Sequence, residues 1–259
     1  GDFKPYIFRT TDFGKTWTRL VDEKKVVGYA LCMIQDPTEP NLIFAGTEQG
    51  LWVSLDNGAN FQQWKNDYPS VSTYDLAIQE READLAIATF GRSLWVLDDI
   101  RPLRKAAADK GALAKKLTVF TAPAAYQSQY RAAPGYEWST MGLWDAANRS
   151  RGAAITFFVN HAADTDPKKT KADSVWVKIY NDKNENIRTL KWKVDSGYNR
   201  RYWNMEEKGF RQPGSPKPRP GAPEPGGFQV LPGTYKVVLT LNKDMDSTFV
   251  TVNDDPRLG

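Results

Sequence analysis

The chain has 259 residues, of which 41% are hydrophobic and 12% aromatic, so it can bury one large or two medium cores. Its 35 basic and 31 acidic residues give a net charge of +4, a mixed surface without the dense basic stripe of a nucleic-acid-binding protein. No apolar run is long enough to span a membrane, and a single cysteine, Cys32, excludes an internal disulfide.

The first hundred residues contain a repeat. "TTDFGKTW" (10–17) and "SLDNGANF" (54–61) share the pattern Ser/Thr-x-Asp-x-Gly-x-x-aromatic, 44 residues apart. A third copy, shifted by 43, aligns "LIFAGTEQGLWVSLD" (42–56) with "LAIATFGRSLWVLDD" (85–99), and the pattern fails after that segment. Each unit has room for about four short antiparallel strands, which is the size of a propeller blade.

The shared motif predicts a tight turn between two strands. An Asp side chain bonds nearby backbone amides, and Gly adopts a backbone conformation that a side chain disfavours. The aromatic residue three positions later is expected to pack back on the turn as an anchor. We therefore assign a structural role to the eight shared positions, which are Thr10, Asp12, Gly14, Trp17, Ser54, Asp56, Gly58 and Phe61.

These motifs resemble the Asp-box, or BNR repeat, of sialidases, sortilin-type receptors and xyloglucanase-type propellers. "ATFGRSLWVLDDIRPL" (88–103) is similar to the closing blade of large secreted bacterial propellers related to sortilin. The resemblance implies that residues 1–101 are the C-terminal blades of a β-propeller, incomplete alone. It also implies that the Asp-box braces peripheral turns, and that the protein is extracytoplasmic (secreted, cell-surface or periplasmic) in a Gram-negative bacterium.

Residues 102–152 are predicted to be a connector. "RPLRKAAADKGALAKKL" (101–117) favours one or two helical turns after Pro102, interrupted at Gly111. Residues 118–126 are then expected to be extended chain, and residues 127–152 are irregular and rich in aromatic residues. Tyr136, Trp138 and Trp144 either stack on a sugar ligand or pack against a neighbouring domain, and both interpretations stay open.

Residues 153–253 show the period of two that is typical of strands, and predict a β-sandwich. The predicted strands are 153–160, 174–181, 186–194, 233–242 and 247–253. Segments 177–205 and 230–239 resemble the immunoglobulin-like domain of flagellar hook-capping proteins, although Trp203-Asn204-Met205 stands where that family has Trp-Asp. The Pro-rich insert 211–227 predicts an extended, mobile loop. The chain as a whole is predicted to be all-β.

No cofactor or metal site is implied. Cys32 lies in the apolar run "YALCMI", which is typical of a structural thiol rather than a nucleophile. His161 is the one histidine, so no His-rich zinc site can form, and we expect it in an exposed loop. The acidic run at 253–255 lacks the spacing of a calcium loop.

Two functions remain open. The favoured one is a non-catalytic binding or structural module that presents a surface to a protein or a glycan. The alternative is part of a sialidase-like or xyloglucanase-like glycoside hydrolase, which in most families needs two carboxylates about 5–10 Å apart. Arg92, Asp98 and Asp99 are the charged residues of the repeat that deserve testing for such a role, and Arg92 is a weak candidate ligand contact.

About two and a half repeats are present, whereas a closed propeller needs at least about four blades. We therefore expect the remaining blades on another chain or on the N-terminal part of the same precursor. A protein or glycan ligand is the further expected partner. Nucleic acid and a membrane span are not expected.

Overall fold

The computed structural model describes residues 2–128, 149–161, 174–210, 214 and 224–257. These residues form nineteen β-strands and one α-helix, so the prediction of an all-β chain is confirmed. The chain divides into two compact units, Gly1–Ala112 and Leu113–Gly259.

The described part of the first unit contains three antiparallel sheets made of strands that are consecutive in sequence. Their order is β1-β2, β3-β4-β5-β6 and β7-β8-β9. The strands are β1 (Ile7–Arg9), β2 (Thr18–Val21), β3 (Ala30–Gln35), β4 (Ile43–Thr47), β5 (Gly50–Ser54), β6 (Gln62–Gln63), β7 (Thr73–Gln79), β8 (Asp84–Thr89) and β9 (Leu94–Leu97).

The second of these sheets is the centre of the unit, because every residue of β4 and β5 is buried. The first sheet and the loop after it pack on one face of it. That contact is formed by Leu20, Val21, Val26, Ile43, Ala45 and Trp52. On the other side β7 runs beside β3 and β4, and Cys32 Sγ lies 3.5 Å from the carbonyl oxygen of Thr73. The sheets are therefore stacked in chain order.

The β8–β9 hairpin does not repeat the register of the β4–β5 hairpin. Ala45 lies opposite Trp52, whereas its repeat equivalent Ala88 lies opposite Leu94 and not opposite Trp95. The connecting turn has four residues in the third sheet and two in the second. A one-residue change in register turns the side chains of a strand to the opposite face of the sheet.

The third sheet exposes apolar side chains on the side that faces away from the second sheet. Leu94 and Val96 are 68% and 61% exposed, whereas their repeat equivalents Leu51 and Val53 are 0% and 7% exposed. The opposite face of the third sheet is buried through Leu85 and other apolar residues. We name the exposed side the outer face of the third sheet. Its residues are Asp75, Ala77, Gln79, Asp84, Ala86, Ala88, Leu94 and Val96.

The predicted short helix is confirmed as α1 (Arg101–Ala108), with Pro102 in its first turn, where a missing amide hydrogen costs no hydrogen bond. Arg104 of α1 forms an ion pair of 2.9 Å with Asp36, whose side chain is completely buried. Asp36 also accepts hydrogen bonds from the backbone amides of Thr38 and Glu39. One carboxylate thus shapes the loop after β3 and anchors the helix to it.

The second unit has two larger sheets, β10-β12-β15 and β11-β19-β18-β13-β14, and the small hairpin β16-β17. Its strands are β10 (Leu117–Val119), β11 (Ala125–Tyr126), β12 (Ala153–Val159), β13 (Ser174–Tyr180), β14 (Asn186–Lys193), β15 (Gly197–Trp203), β16 (Glu206–Lys208), β17 (Gly226–Gln229), β18 (Gly233–Leu241) and β19 (Asp244–Asn253). The two larger sheets enclose one core, to which Ile155, Phe157, Val177, Leu239 and Val250 contribute.

Three features of the second unit differ from the sequence prediction. Strand β15, which pairs with β12 along its whole length, lies outside the predicted strands. Strands β10 and β11 fall within the predicted connector, and the segment between them crosses from one sheet to the other. Within the predicted loop 211–227, strand β17 begins at Gly226, while residues 211–213 and 215–223 lie outside the described part.

The buried ion pair between Asp36 and Arg104 predicts a large loss of stability when one partner is removed. Replacing Arg104 by Met leaves a buried carboxylate without its cation, so we expect a loss of about 3 kcal/mol in the first unit. Hydrogen exchange of the β3 and β4 amides measures it. The control is Arg81→Met, which removes an exposed pair with Glu82 and should cost less than about 1 kcal/mol. Equal losses in the two variants would contradict the assigned role.

Candidate functional site

The first Asp motif forms a closed hydrogen-bonded turn between β1 and β2. The hydroxyl of Thr10 donates to Asp12 Oδ1 at 2.8 Å and accepts from the amide of Gly14 at 2.8 Å. Asp12 Oδ1 also accepts from the amide of Thr16 at 2.9 Å, and Oδ2 accepts from its hydroxyl at 2.7 Å. The Trp17 indole nitrogen donates to the Gly14 carbonyl at 3.1 Å. The ring thus lies back over the turn.

The second motif forms the same turn between β5 and β6. Ser54 Oγ donates to Asp56 Oδ1 at 2.8 Å and accepts from the amide of Gly58 at 2.9 Å. The amide and the side-chain nitrogen of Asn60 donate to the two Asp56 oxygens at 2.8 and 2.7 Å. Phe61 packs against the core shared with the first sheet. The two turns therefore have the same construction in two neighbouring sheets.

Two further positions belong to this turn, and the motif pattern did not include them. The residue before Gly has a positive φ in both copies, 58° at Phe13 and 58° at Asn57, and Gly14 and Gly58 follow with 89° and 81°. The residue two positions after Gly, which is Thr16 or Asn60, donates a side-chain hydrogen bond to the Asp carboxylate. Its polar identity in both copies was the signal in the sequence.

The hydrogen bonds make both carboxylates more acidic than usual. The Thr16 hydroxyl, the Thr16 amide and the Thr10 hydroxyl lower the pKa of Asp12 to about 2. At Asp56 burial acts to raise the pKa, but the hydrogen bonds from Asn60 and Ser54 outweigh it, so the pKa is lowered. Both groups are therefore carboxylate anions at neutral pH, a state suited to bracing a turn and unsuited to donating a proton.

The second turn is held by the first sheet, whereas the corresponding side of the first turn is exposed. Arg9 donates to the Asn57 side-chain oxygen at 2.7 Å, and Lys25 Nζ donates to the Gly58 carbonyl at 3.2 Å. In the first turn Phe13 and Trp17 are exposed, with 61% of Trp17 accessible. The two turns thus have the same hydrogen bonds, but only the second is covered by neighbouring residues of the described chain.

The charged candidates of the third sheet lie at its turns. Arg92 is in the β8–β9 turn, where its carbonyl oxygen accepts from the Trp95 indole nitrogen at 2.9 Å. Asp98 and Asp99 follow β9, and the buried Asp99 pairs with Arg101 at 2.7 Å. The three candidates therefore belong to the ends of strands. The other candidate contacts, Tyr136, Trp138 and Trp144, lie outside the described residues.

The chain has one cysteine and one histidine, and neither lies in a reactive setting. Burial raises the pKa of the Cys32 thiol to about 11, so it stays protonated at neutral pH. His161 follows β12 and is partly buried, not exposed as the sequence suggested. Within the described ranges no group of three or more His, Cys, Asp or Glu residues is arranged to hold a metal ion.

A shallow depression of about 340 Å³ lies beside the first sheet. Its lining residues are Asp2, Phe3, Lys4, Tyr6, Tyr29 and Ala30. The rings of Tyr6 and Phe8 are parallel with centroids 6.3 Å apart, and the Arg19 guanidinium lies 4.4 Å from the Tyr6 centroid. These aromatic residues lie outside the repeated motif, so no sequence pattern marks them as a site.

The two turns predict unequal effects of removing the same hydroxyl. Ser54→Ala should destabilise the first unit by about 1–3 kcal/mol, because the buried amide of Gly58 loses its acceptor. Thr10→Ala in the exposed turn should cost less, because water replaces the hydroxyl. Urea unfolding followed by tryptophan fluorescence measures both. A larger loss for Thr10→Ala would show that burial is not what makes the second turn important.

Asp12 predicts a defined pH dependence of the first turn. Its folded pKa of about 2 is below the unfolded value of about 3.9, so the anion stabilises the folded turn above about pH 4. That stabilisation is lost as the pH falls through about 2. A carboxyl-carbon NMR titration should place the Asp12 midpoint near 2, and Thr16→Val should move it upward. A wild-type midpoint near 3.9 would contradict the assigned hydrogen bonds.

No protein-family model matches this chain, and no curated protein sequence matches it. Among the described residues no helix combines the length and the apolar character that crossing a bilayer requires.

Proposed function

We propose that this chain is a non-catalytic binding and structural module that works outside the cytoplasm, and that its first unit consists of adjacent blades of an Asp-box β-propeller. The observation that carries the proposal is the recurrence of one hydrogen-bonded turn in two neighbouring sheets, at the same place between consecutive strands. In both copies the conserved geometry uses the Asp carboxylate, Asp12 or Asp56, to build the scaffold.

The stacking of the sheets supports the propeller part of the proposal. Arg9 and Lys25 cover the second turn, as a neighbouring blade would in the proposed propeller. The first turn exposes Phe13 and Trp17 on its equivalent side, and the outer face of the third sheet exposes Leu94 and Val96. Large exposed apolar patches are typical of surfaces that bind another protein surface. Both ends of the stack thus suit further blades, on another chain or elsewhere in the same precursor.

The use of the carboxylates supports a binding role over hydrolysis. Asp36 and Asp99 form ion pairs with arginines of α1, and Asp12 and Asp56 close turns. A glycosidase needs one carboxyl group that is free to act on the glycosidic oxygen. These four groups hold loops and turns instead. We therefore favour a binding role over hydrolysis.

A hydrogen bond in the second unit supports its likeness to secreted immunoglobulin-like domains. Tyr235 near the start of β18 donates its hydroxyl to the Leu231 carbonyl four residues earlier, at 2.6 Å. This arrangement is similar to the tyrosine corner of immunoglobulin-like sandwiches. The Tyr235 ring also packs edge-on against the buried Trp203, with centroids 5.3 Å apart.

The proposal is tested by offering the purified chain a glycan array and, in parallel, a panel of oligosaccharide substrates. We expect retention of a glycan class without release of shorter sugars. The heat-unfolded chain is the control for non-specific adhesion. Hydrolysis that co-purifies with the chain and is lost in the variant Asp98→Asn would overturn the non-catalytic assignment. Failure to bind any glycan or protein would overturn the binding role.

The outer face of the third sheet predicts self-association of the isolated chain. At high concentration this face should pair with its copy in another molecule, and the double variant Leu94→Gln/Val96→Gln should remain monomeric, because a polar face gains little by leaving water. Sedimentation velocity over a concentration series measures it. The control is Leu231→Gln, an equally exposed leucine of the second unit at 80% exposure. A wild-type chain that is monomeric throughout would contradict the prediction.

A further inference from the structure

The solvent side of the five-stranded sheet in the second unit has an unusual composition. Along β13 the core residues Val175, Val177 and Ile179 alternate with Trp176 and Lys178, which point outward. The register continues this side across the neighbouring strands, because Trp176 lies opposite Lys191, and Lys236 lies opposite Phe249. We name this side the lysine face, and its principal residues are Trp176, Lys178, Lys191, Lys193, Lys236 and Phe249.

The lysine face has one sign of charge. Its strands β11, β19, β18, β13 and β14 place four lysines outward, and no outward position of these strands carries a carboxylate. Asp246 of β19 points to the other side, where it accepts a hydrogen bond from the Val119 amide. Glu224 lies beside the edge strand β14, but it pairs with Lys208. Among the described residues the four lysines form no ion pair, and all four side chains are exposed.

The face also exposes aromatic rings. Trp176 is 49% and Phe249 61% exposed, and Lys191 Nζ lies 5.4 Å from the centroid of the Trp176 ring. From strand spacing and rise, these two rings are roughly 16 Å apart, since they lie two strands and four residues from each other. An oligosaccharide spans that distance and a monosaccharide does not. Flat aromatic rings bind the apolar faces of sugars, and ammonium groups bind acidic substituents.

We propose that the lysine face binds an anionic polysaccharide whose sugars carry carboxylate or sulfate groups. The positive charge of the four lysines favours a polyanion as the ligand. The exposed rings of Trp176 and Phe249 favour a polyanion that is built of sugar rings. The inference rests on the proposed binding function and names its ligand class. It uses only the second unit, so it does not depend on the propeller assignment of the first.

Binding is tested with the full chain and four immobilised polymers, which are polygalacturonate, dextran sulfate, neutral dextran and duplex DNA. We expect binding of at least one of the two acidic polysaccharides, weakened by added salt because the charges are exposed, and no binding of neutral dextran. Lys178→Gln/Lys236→Gln should weaken this binding about tenfold, since two ammonium contacts are lost. Trp176→Ala should weaken binding of the acidic polysaccharides and leave DNA retention unchanged.

The matched control is Lys15→Gln/Lys24→Gln, which removes the same charge from exposed positions of the first unit. If the two double variants lose the same amount of polysaccharide binding, the binding depends only on the net charge of the chain, and the proposal is overturned. So would DNA binding of equal strength that shows the same loss in Trp176→Ala. Circular dichroism checks that each variant is folded. If neither acidic polysaccharide binds while neutral glycans or proteins do, this inference fails and the proposed binding function stands. If the chain hydrolyses its glycan, the proposed function itself fails.

Discussion

The two central strands of the second sheet, β4 and β5, are buried on both faces, and the arrangement around them follows from that constraint. Every residue of β4 and β5 is removed from water, so neither face can be left to solvent. One face is covered by β1 and β2 with the segment that follows them, and β7 packs along the other side. The Asp56 turn fixes where the first sheet sits, because Gly58 has Leu20 so close that a β-carbon there would lie 2.5 Å from it. Glycine is required at that point by contact as well as by its positive φ.

The sequence predicted the local chemistry of the first unit better than its pairing. The turn motif follows from Asp12, Asp56 and the glycines, because side-chain hydrogen bonds and glycine conformations act over a few residues. The register of β8 and β9 does not follow from the identical Leu-Trp-Val triplets. Pairing depends on the turn between the strands, and in the third sheet Ala88 lies opposite Leu94 instead of Trp95.

In the second unit the same limit applies to β15. Its sequence, "GYNRRYW", does not alternate apolar and polar residues, so no period of two marks it as a strand. It is a strand because β12 pairs with it along its full length, and Trp203 at its end fills the core. The lysine face, in contrast, was readable. Trp176, Lys178, Lys191 and Lys193 occupy alternate positions in their strands, so the period of two that predicts the core side also predicts this outward side.

The ion pair between Arg104 and Asp36 joins two points that are 68 residues apart in the chain. The third sheet lies between them, so it is a tethered loop whose two ends are fixed on the second sheet. If β7, β8 and β9 separate from their neighbours for a time, their ends stay together, and the chain entropy gained by opening is reduced. A cut in the peptide backbone within this loop would still leave this buried ion pair between the two fragments.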